Sequence, residues 1–133
     1  MDKFGKSQSV KRVEDVRFLT GEGRYVDDIA PENSLHAYFF RSPVGHGVIT
    51  SLDVSDAREA EGVHAVLTVE DLEAAGMDIS MAGAILKNRD GTDGAKPLRP
   101  LLAKGRVRYV GEPVAAVIAE TLDQARDAAE LIM

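Results

Sequence analysis

Val110-Gly111-Glu112-Pro113-Val114-Ala115-Ala116-Val117-Ile118-Ala119-Glu120-Thr121-Leu122-Asp123-Gln124 is the stretch that decides the fold. Gly111-Glu112-Pro113 makes a tight turn. The six residues that follow are all apolar, the pattern of a central strand covered on both faces. Thr121 with Gln124 three residues on satisfies the capping-box rule, which opens a helix. Beyond it Ala125, Ala128, Ala129 and Ile132 recur at helical spacing on one side, while Asp123, Gln124, Arg126, Asp127 and Glu130 fill the other. A buried strand feeding an amphipathic helix predicts a domain of the α/β (α+β) class.

Working back from this unit, Arg106-Val107-Arg108-Tyr109-Val110 alternates like a half-buried strand whose wet face carries Arg106 and Arg108. Residues 77–104 lose all pattern. Asn88-Arg89-Asp90-Gly91-Thr92-Asp93-Gly94-Ala95-Lys96-Pro97 is turn chemistry without a core and is expected to be mobile, packing in part against a neighbour. Thr68-Val69-Glu70-Asp71 reads as a capping box with Asp as the closing acid, opening a short helix that Gly76 ends. Val63-His64-Ala65-Val66-Leu67 before it reads as a strand. Ser55 is the expected cap of a helix over residues 56–61, with Gly62 as its left-handed stop. Leu35-His36-Ala37-Tyr38-Phe39-Phe40-Arg41 suits a strand packed on both faces. A Pro/Gly turn at residues 42–47 separates it from a second strand at 48–54, and the two are expected to pair antiparallel. Residues 10–28 form an ordered, mostly irregular arm anchored by Phe18, Leu19 and Tyr25, and residues 1–9 a flexible N-terminus. The expected organisation is therefore one domain over residues 10–133, a small mixed sheet flanked by short helices and one C-terminal helix. The final helical pattern runs to Met133 without a stop signal, as expected of a segment of a longer chain.

Composition excludes several function classes. The 133 residues are 44% hydrophobic and 29% charged, ordinary for a globular domain, and carry a net charge of −6. No basic stripe is present, so nucleic acid is not an expected partner. Cysteine is absent, which removes disulfides, thiolate nucleophiles and cysteine-ligated metal from this stretch. No signal-peptide core or membrane-spanning run occurs; a cytoplasmic protein without membrane insertion is expected.

The sequence offers no recognisable constellation of reactive groups. Gly21-Glu22-Gly23 lacks the preceding strand, third glycine and immediate helix of a dinucleotide cradle, and reads as a structural turn. His36, His46 and His64 show no metal-ligand spacing. His36 and His64 fall in strands, whereas His46 sits in the glycine-flanked turn, where a partner contact is plausible. Asp27 and Asp28 are neighbours on an extended chain and point apart; holding backbone amides suits them better than acid–base work. Arg12, Glu14, Asp15, Arg17 and Arg24 are either a solvated charged face or an interface whose arginine–carboxylate pairs fix a docked subunit.

Four spaced blocks resemble the large subunits of molybdenum hydroxylases. They are Arg12-Val13-Glu14-Asp15 with Leu19-Thr20-Gly21-Glu22-Gly23-Arg24-Tyr25-Val26-Asp27-Asp28; Arg41-Ser42-Pro43 with His46 and Asp53; Gly62-Val63-His64-Ala65-Val66-Leu67-Thr68 with Asp71-Leu72; and Val110-Gly111-Glu112-Pro113-Val114-Ala115 with the helix after it. Gly47 replaces the alanine usual after the histidine. The Arg12-Val13-Glu14-Asp15 arm resembles the carbon monoxide dehydrogenase-like branch more than it does the eukaryotic xanthine oxidases, within a family that also holds xanthine dehydrogenases and aldehyde oxidases. The resemblance implies an α/β hammerhead domain that braces the molybdenum–pterin domains. It also implies partner subunits carrying iron–sulfur clusters and FAD, with no catalytic, cofactor-binding or metal residue in this stretch. The interface residues it implies are Arg12, Glu14, Asp15, Arg24, Tyr25, Asp27, Asp28, Arg41, His46 and Glu112. The alternative is a free-standing α/β module that binds a protein or a small ligand without catalysis.

Overall fold

The computed structural model describes residues 11–81, 85–95 and 99–133. The flexible N-terminus expected at residues 1–9 lies outside them, as do parts of the 77–104 segment. The chain divides into two compact units, residues 1–34 and residues 35–133.

In the second unit, β5 (Pro113–Ala119) is the middle strand of a three-stranded antiparallel sheet, between β1 (His36–Arg41) and β3 (Val63–Leu67). Val114, Ala115, Ala116, Val117 and Ala119 are buried, as its unbroken apolar run requires. α4 (Leu122–Glu130) packs on one face of the sheet. Its Ala125, Ala128 and Ala129 meet Ala115, Val117, Ala119 and Val66, together with Ala57 of α2 (Ser55–Glu59). Alanines on both sides let helix and sheet approach closely, and such interiors tolerate little added volume. The cap forms as expected: the Gln124 amide N–H donates to Thr121 Oγ1 at 3.2 Å, and the Thr121 N–H donates to Gln124 Oε1 at 3.0 Å. A side chain at Gly62 would collide with the side-chain amide of Gln124, its Cβ falling 2.2 Å from Nε2.

A second small sheet pairs β2 (Gly47–Val48) antiparallel with β4 (Arg106–Val107). Val107 turns inward onto Ala103 and Val114. α3 (Val69–Ala74) opens on the predicted box, in which the Thr68 N–H donates to Asp71 Oδ2 at 2.7 Å. It closes on Gly76, which has φ +72: the Gly76 N–H reaches the Glu73 carbonyl, and the Met77 N–H reaches the Leu72 carbonyl. This pair of hydrogen bonds is the Schellman arrangement, and the left-handed φ explains the glycine.

Several expectations fail for identifiable reasons. β1 does not pair with residues 48–54; it spends its backbone groups on β5, and the second strand shrinks to Gly47–Val48. Asp53 instead exchanges two backbone hydrogen bonds with Met133, at 2.7 and 3.0 Å. β1 is an edge strand with five of its six residues exposed rather than covered on both faces. Where mixed strand directions were expected, every described pairing is antiparallel. Ser55 is not a cap; its own N–H is held by Asp53 Oδ1 at 2.9 Å. Gly62 is left-handed as predicted, but two residues past an already extended Ala60. It serves the turn closed by the Val63 N–H on the Ala60 carbonyl. Strand structure at residues 106–110 stops after Val107. The described residues between 77 and 104 carry more order than their composition predicts, with bridges at Ser80–Pro100 and Lys87–Asp93 and with Leu102 and Ala103 buried.

Asp71 also receives Arg58, whose Nη2 lies 2.9 Å from Oδ2 and whose guanidinium reaches the Val66 carbonyl. The Thr68 N–H, then the Thr68 hydroxyl and the Arg58 charge, hold the Asp71 carboxyl below the usual carboxylate range. A depressed folded-state value stabilises the fold above the ordinary carboxylate pKa, and that contribution is lost as pH falls through the lowered one. Asp71→Asn should therefore cost about 1 kcal/mol at neutral pH, a figure discounted for the pair's partial exposure. Thermal melts from neutral pH down to about pH 2 check this, because the gap between wild type and variant should close on acidification.

Candidate functional site

The residues that precede β2 and those that follow β4 interlock. The Ser42 N–H donates to the Glu112 carbonyl at 2.9 Å, and the Gly111 N–H donates back to the Ser42 carbonyl at 2.8 Å. Arg41 Nη1 reaches the Gly111 carbonyl at 2.9 Å, and its guanidinium lies over the Phe39 ring. Gly111, at φ +84, takes the third position of the turn closed by the Glu112 N–H on the Tyr109 carbonyl, a position that favours glycine. Ser42 is buried, and its hydroxyl donates to the Val44 carbonyl at 2.9 Å and accepts the Val44 N–H at 3.2 Å. His46 stands exposed in the same turn.

Glu112 is the functional surprise. It is 2% exposed, yet it belongs to a turn. Its carboxylate accepts the backbone N–H of Arg108, and Oε1 lies 3.5 Å from Arg108 Nη1. A buried charge is tolerable only when paired and hydrogen-bonded. Here it clamps residues 108–112 to the start of the central strand.

The structure thus brings Arg41 and Glu112 together at one corner, with His46 in the adjoining turn. The other predicted residues belong to the first unit. There α1 (Asp15–Leu19) is a helix that residues 10–28 did not announce, because five residues are too few to show a periodic stripe. Its stop signal was present: the Gly21 N–H reaches the Phe18 carbonyl and the Glu22 N–H the Arg17 carbonyl, with Gly21 at φ +78. Asp15 Oδ2 accepts the Arg12 N–H at 3.1 Å, and Glu14 pairs with Arg17 at 2.7 Å. Asp28 Oδ2 accepts the Tyr25 N–H at 2.8 Å, the amide-holding role expected of that acidic pair. Phe18 and Tyr25 stack with centroids 5.4 Å apart, close against Gly23, where a Cβ would strike the Phe18 ring at 2.3 Å. Leu19 is no anchor within this unit, being 87% exposed, and Arg24 and Asp27 are also exposed.

A cleft of about 450 Å³ is lined in part by Thr50, Ser51, Arg58, Thr68 and Asp71, but Arg58 and Asp71 are committed to each other. Among the described residues no three His, Cys, Asp or Glu side chains stand together as a metal site.

Residues 20–133 match the family model of the aldehyde oxidase and xanthine dehydrogenase a/b hammerhead domain. The chain belongs to this family. Among curated relatives, the hammerhead domain is 44% identical over 126 residues to the nicotine 6-hydroxylase large subunit of Paenarthrobacter nicotinovorans, covering 92% of this chain and 14% of the relative. It is 36% identical over 124 residues to the carbon monoxide dehydrogenase large chain of Afipia carboxidovorans, covering 92% and 14%. Among solved structures, quinoline 2-oxidoreductase from Pseudomonas putida 86 superposes with a TM-score of 0.83 at 39% identity, over 94% of this chain and 15% of that one. The chain therefore spans about one-seventh of the length of these relatives. No described helix is long and apolar enough to cross a membrane.

Removing the Glu112 carboxylate leaves the half-buried Arg108 N–H without its acceptor. Glu112→Ala should destabilise the domain by about 1–3 kcal/mol. Glu112→Gln, which keeps an acceptor, should recover much of that loss, as read by chemical denaturation of the pair beside wild type.

Proposed function

We propose that this hammerhead domain is the structural N-terminal part of a molybdenum hydroxylase large subunit, an oxidoreductase of the carbon monoxide dehydrogenase-like or xanthine and aldehyde dehydrogenase-like branches. It braces the molybdenum–pterin domains, meets an iron–sulfur subunit, belongs to an assembly that also holds an FAD subunit, and works in the cytoplasm. It is inactive alone. The observation that carries this reading is the family match over residues 20–133 at one-seventh of the relatives' length. Relatives named as large chains, and one named as the gamma subunit of a 6-hydroxypseudooxynicotine dehydrogenase complex, favour assembly with other subunits.

The contact surfaces on this reading are the arm, through Arg12, Glu14, Asp15, Arg24, Tyr25, Asp27 and Asp28, and the corner of Arg41, His46 and Glu112. The arm supports this role because none of its described residues is buried and Val13, Val16, Leu19 and Val26 are each at least 72% exposed. A helix as short as α1 gains little stability in water by itself, so a covering surface suits it. Glu112 acts indirectly, fixing the shape of the corner.

Purified from its native source, the polypeptide carrying this domain should migrate with iron–sulfur and flavin subunits and contain molybdenum in near-equimolar amount. Size-exclusion chromatography with elemental analysis reads both. A polypeptide that runs alone and free of molybdenum would contradict the assignment.

A further inference from the structure

The charge on this domain is segregated. Residues 36–48 and 99–112, which pair as β2 and β4 and interlock at Ser42 and Glu112, hold five of the chain's sixteen Lys and Arg residues. Of its 22 Asp and Glu residues these two stretches hold only Glu112, which is buried. Glu73 of α3 neutralises Lys104, and Glu112 offsets Arg108. Arg106 has no ion-pair or hydrogen-bond partner for its guanidinium among the described residues. A basic corner thus stands on a chain of net charge −6.

Register decides what that corner presents. Val107 lies opposite Gly47 and faces the interior, so Arg106 and its partner Val48 share the outer face, with Arg108 two residues along. Val48 is 65% exposed, and Tyr109 and Val110 in the adjoining turn are 54% and 68% exposed. Val110 closes on Gly45, and Val44 is also exposed. Arginine and tyrosine among exposed aliphatic groups is the composition enriched where separately folded proteins meet, whereas lysine is depleted there.

We propose that the outer face of the β2–β4 ribbon, centred on Arg106 and Arg108 and flanked by Val48, Tyr109 and Val110, docks a separately folded subunit. The matching surface on that subunit carries carboxylates around an apolar patch. The proposal rests on the multi-subunit reading above and adds the ribbon face, its charge sign and the chemistry of its partner. Charge complementarity selects the occupant. A carboxylate patch meets the basic corner while the acidic remainder of the chain stays clear, and electrostatic steering serves partners that must find each other by diffusion. Nucleic acid fits poorly, since the basic face is one short ribbon and an extended polyanion would run onto acidic surface.

The test uses the intact large subunit and the partner subunits of the same enzyme, produced separately and mixed in a stopped-flow or surface-based binding assay. Arg106→Glu leaves the Arg108–Glu112 pair in place, so folding should survive; a thermal melt verifies this. At low salt the association rate should fall about tenfold with little change in dissociation, and added salt should slow wild type toward the variant. Arg89→Glu, an exposed arginine on the 87–93 turn, should bind like wild type. Unchanged association for Arg106→Glu, or equal losses for both variants, would overturn the ribbon face while leaving subunit assembly intact. Failure of the wild-type subunits to associate at all would instead remove the multi-subunit reading and this proposal with it. Tight, Arg106-dependent binding of a short DNA duplex in place of the subunits would overturn the choice of a protein partner.

Discussion

The structure depends on the contact between β5 and α4. Ala115, Val117 and Ala119 face Ala125, Ala128 and Ala129, so the helix can sit low on the sheet and exclude water without large side chains. The Thr121–Gln124 box fixes where the helix begins, at Leu122, three residues after the strand's last residue, Ala119. Both neighbours of β5 pair with it antiparallel, so each inherits its register. Misplacing β5 by one residue would turn its buried set toward the wrong face.

The corner of Arg41, Ser42 and Glu112 follows from the same strand. Pro113 at the start of β5 pairs with Arg41 across a register shift, which sets Ser42 beside Gly111 and Glu112. Arg41 and Gly111 are seventy residues apart in sequence, and the β1–β5 pairing brings them within hydrogen-bond reach. The turn before β2 and the turn after β4 are then locked by backbone hydrogen bonds and by one buried carboxylate. Preorganisation of this kind spares an interface the entropy of ordering its loops on contact.

What the sequence made legible was local. The strand–turn–helix at residues 113–130, the box at Thr68 and Asp71 and the glycine stop at Gly76 each carry their signal within a few residues, and each forms. Pairing was not legible, because the Pro43 turn after β1 imitates a hairpin and nothing nearby shows that β1 prefers a strand seventy residues on. The burial of Glu112 was hidden for a related reason: Gly-Glu-Pro reads as a solvated turn unless the neighbouring chain is known. Ser55 does not cap its helix because it lies inside the first turn, after the N-cap Val54, with its own N–H held by the Asp53 carboxylate. Of the candidate contact residues, Arg41 and Glu112 converge through tertiary pairing. Those of the arm are held by bonds three residues apart, such as Asp15 to Arg12 and Asp28 to Tyr25.

A rigid strand–helix core with a preorganised corner, proposed above as a docking surface, makes a distinct demand on backbone protection. Hydrogen exchange read by mass spectrometry, on the large subunit alone and in the assembled enzyme, measures it directly. Residues 113–130 should be slow in both states, and residues 41–48 and 106–112 should gain protection only on assembly. No change at those two turns on assembly, or fast exchange along residues 113–119 in the unassembled subunit, would contradict it.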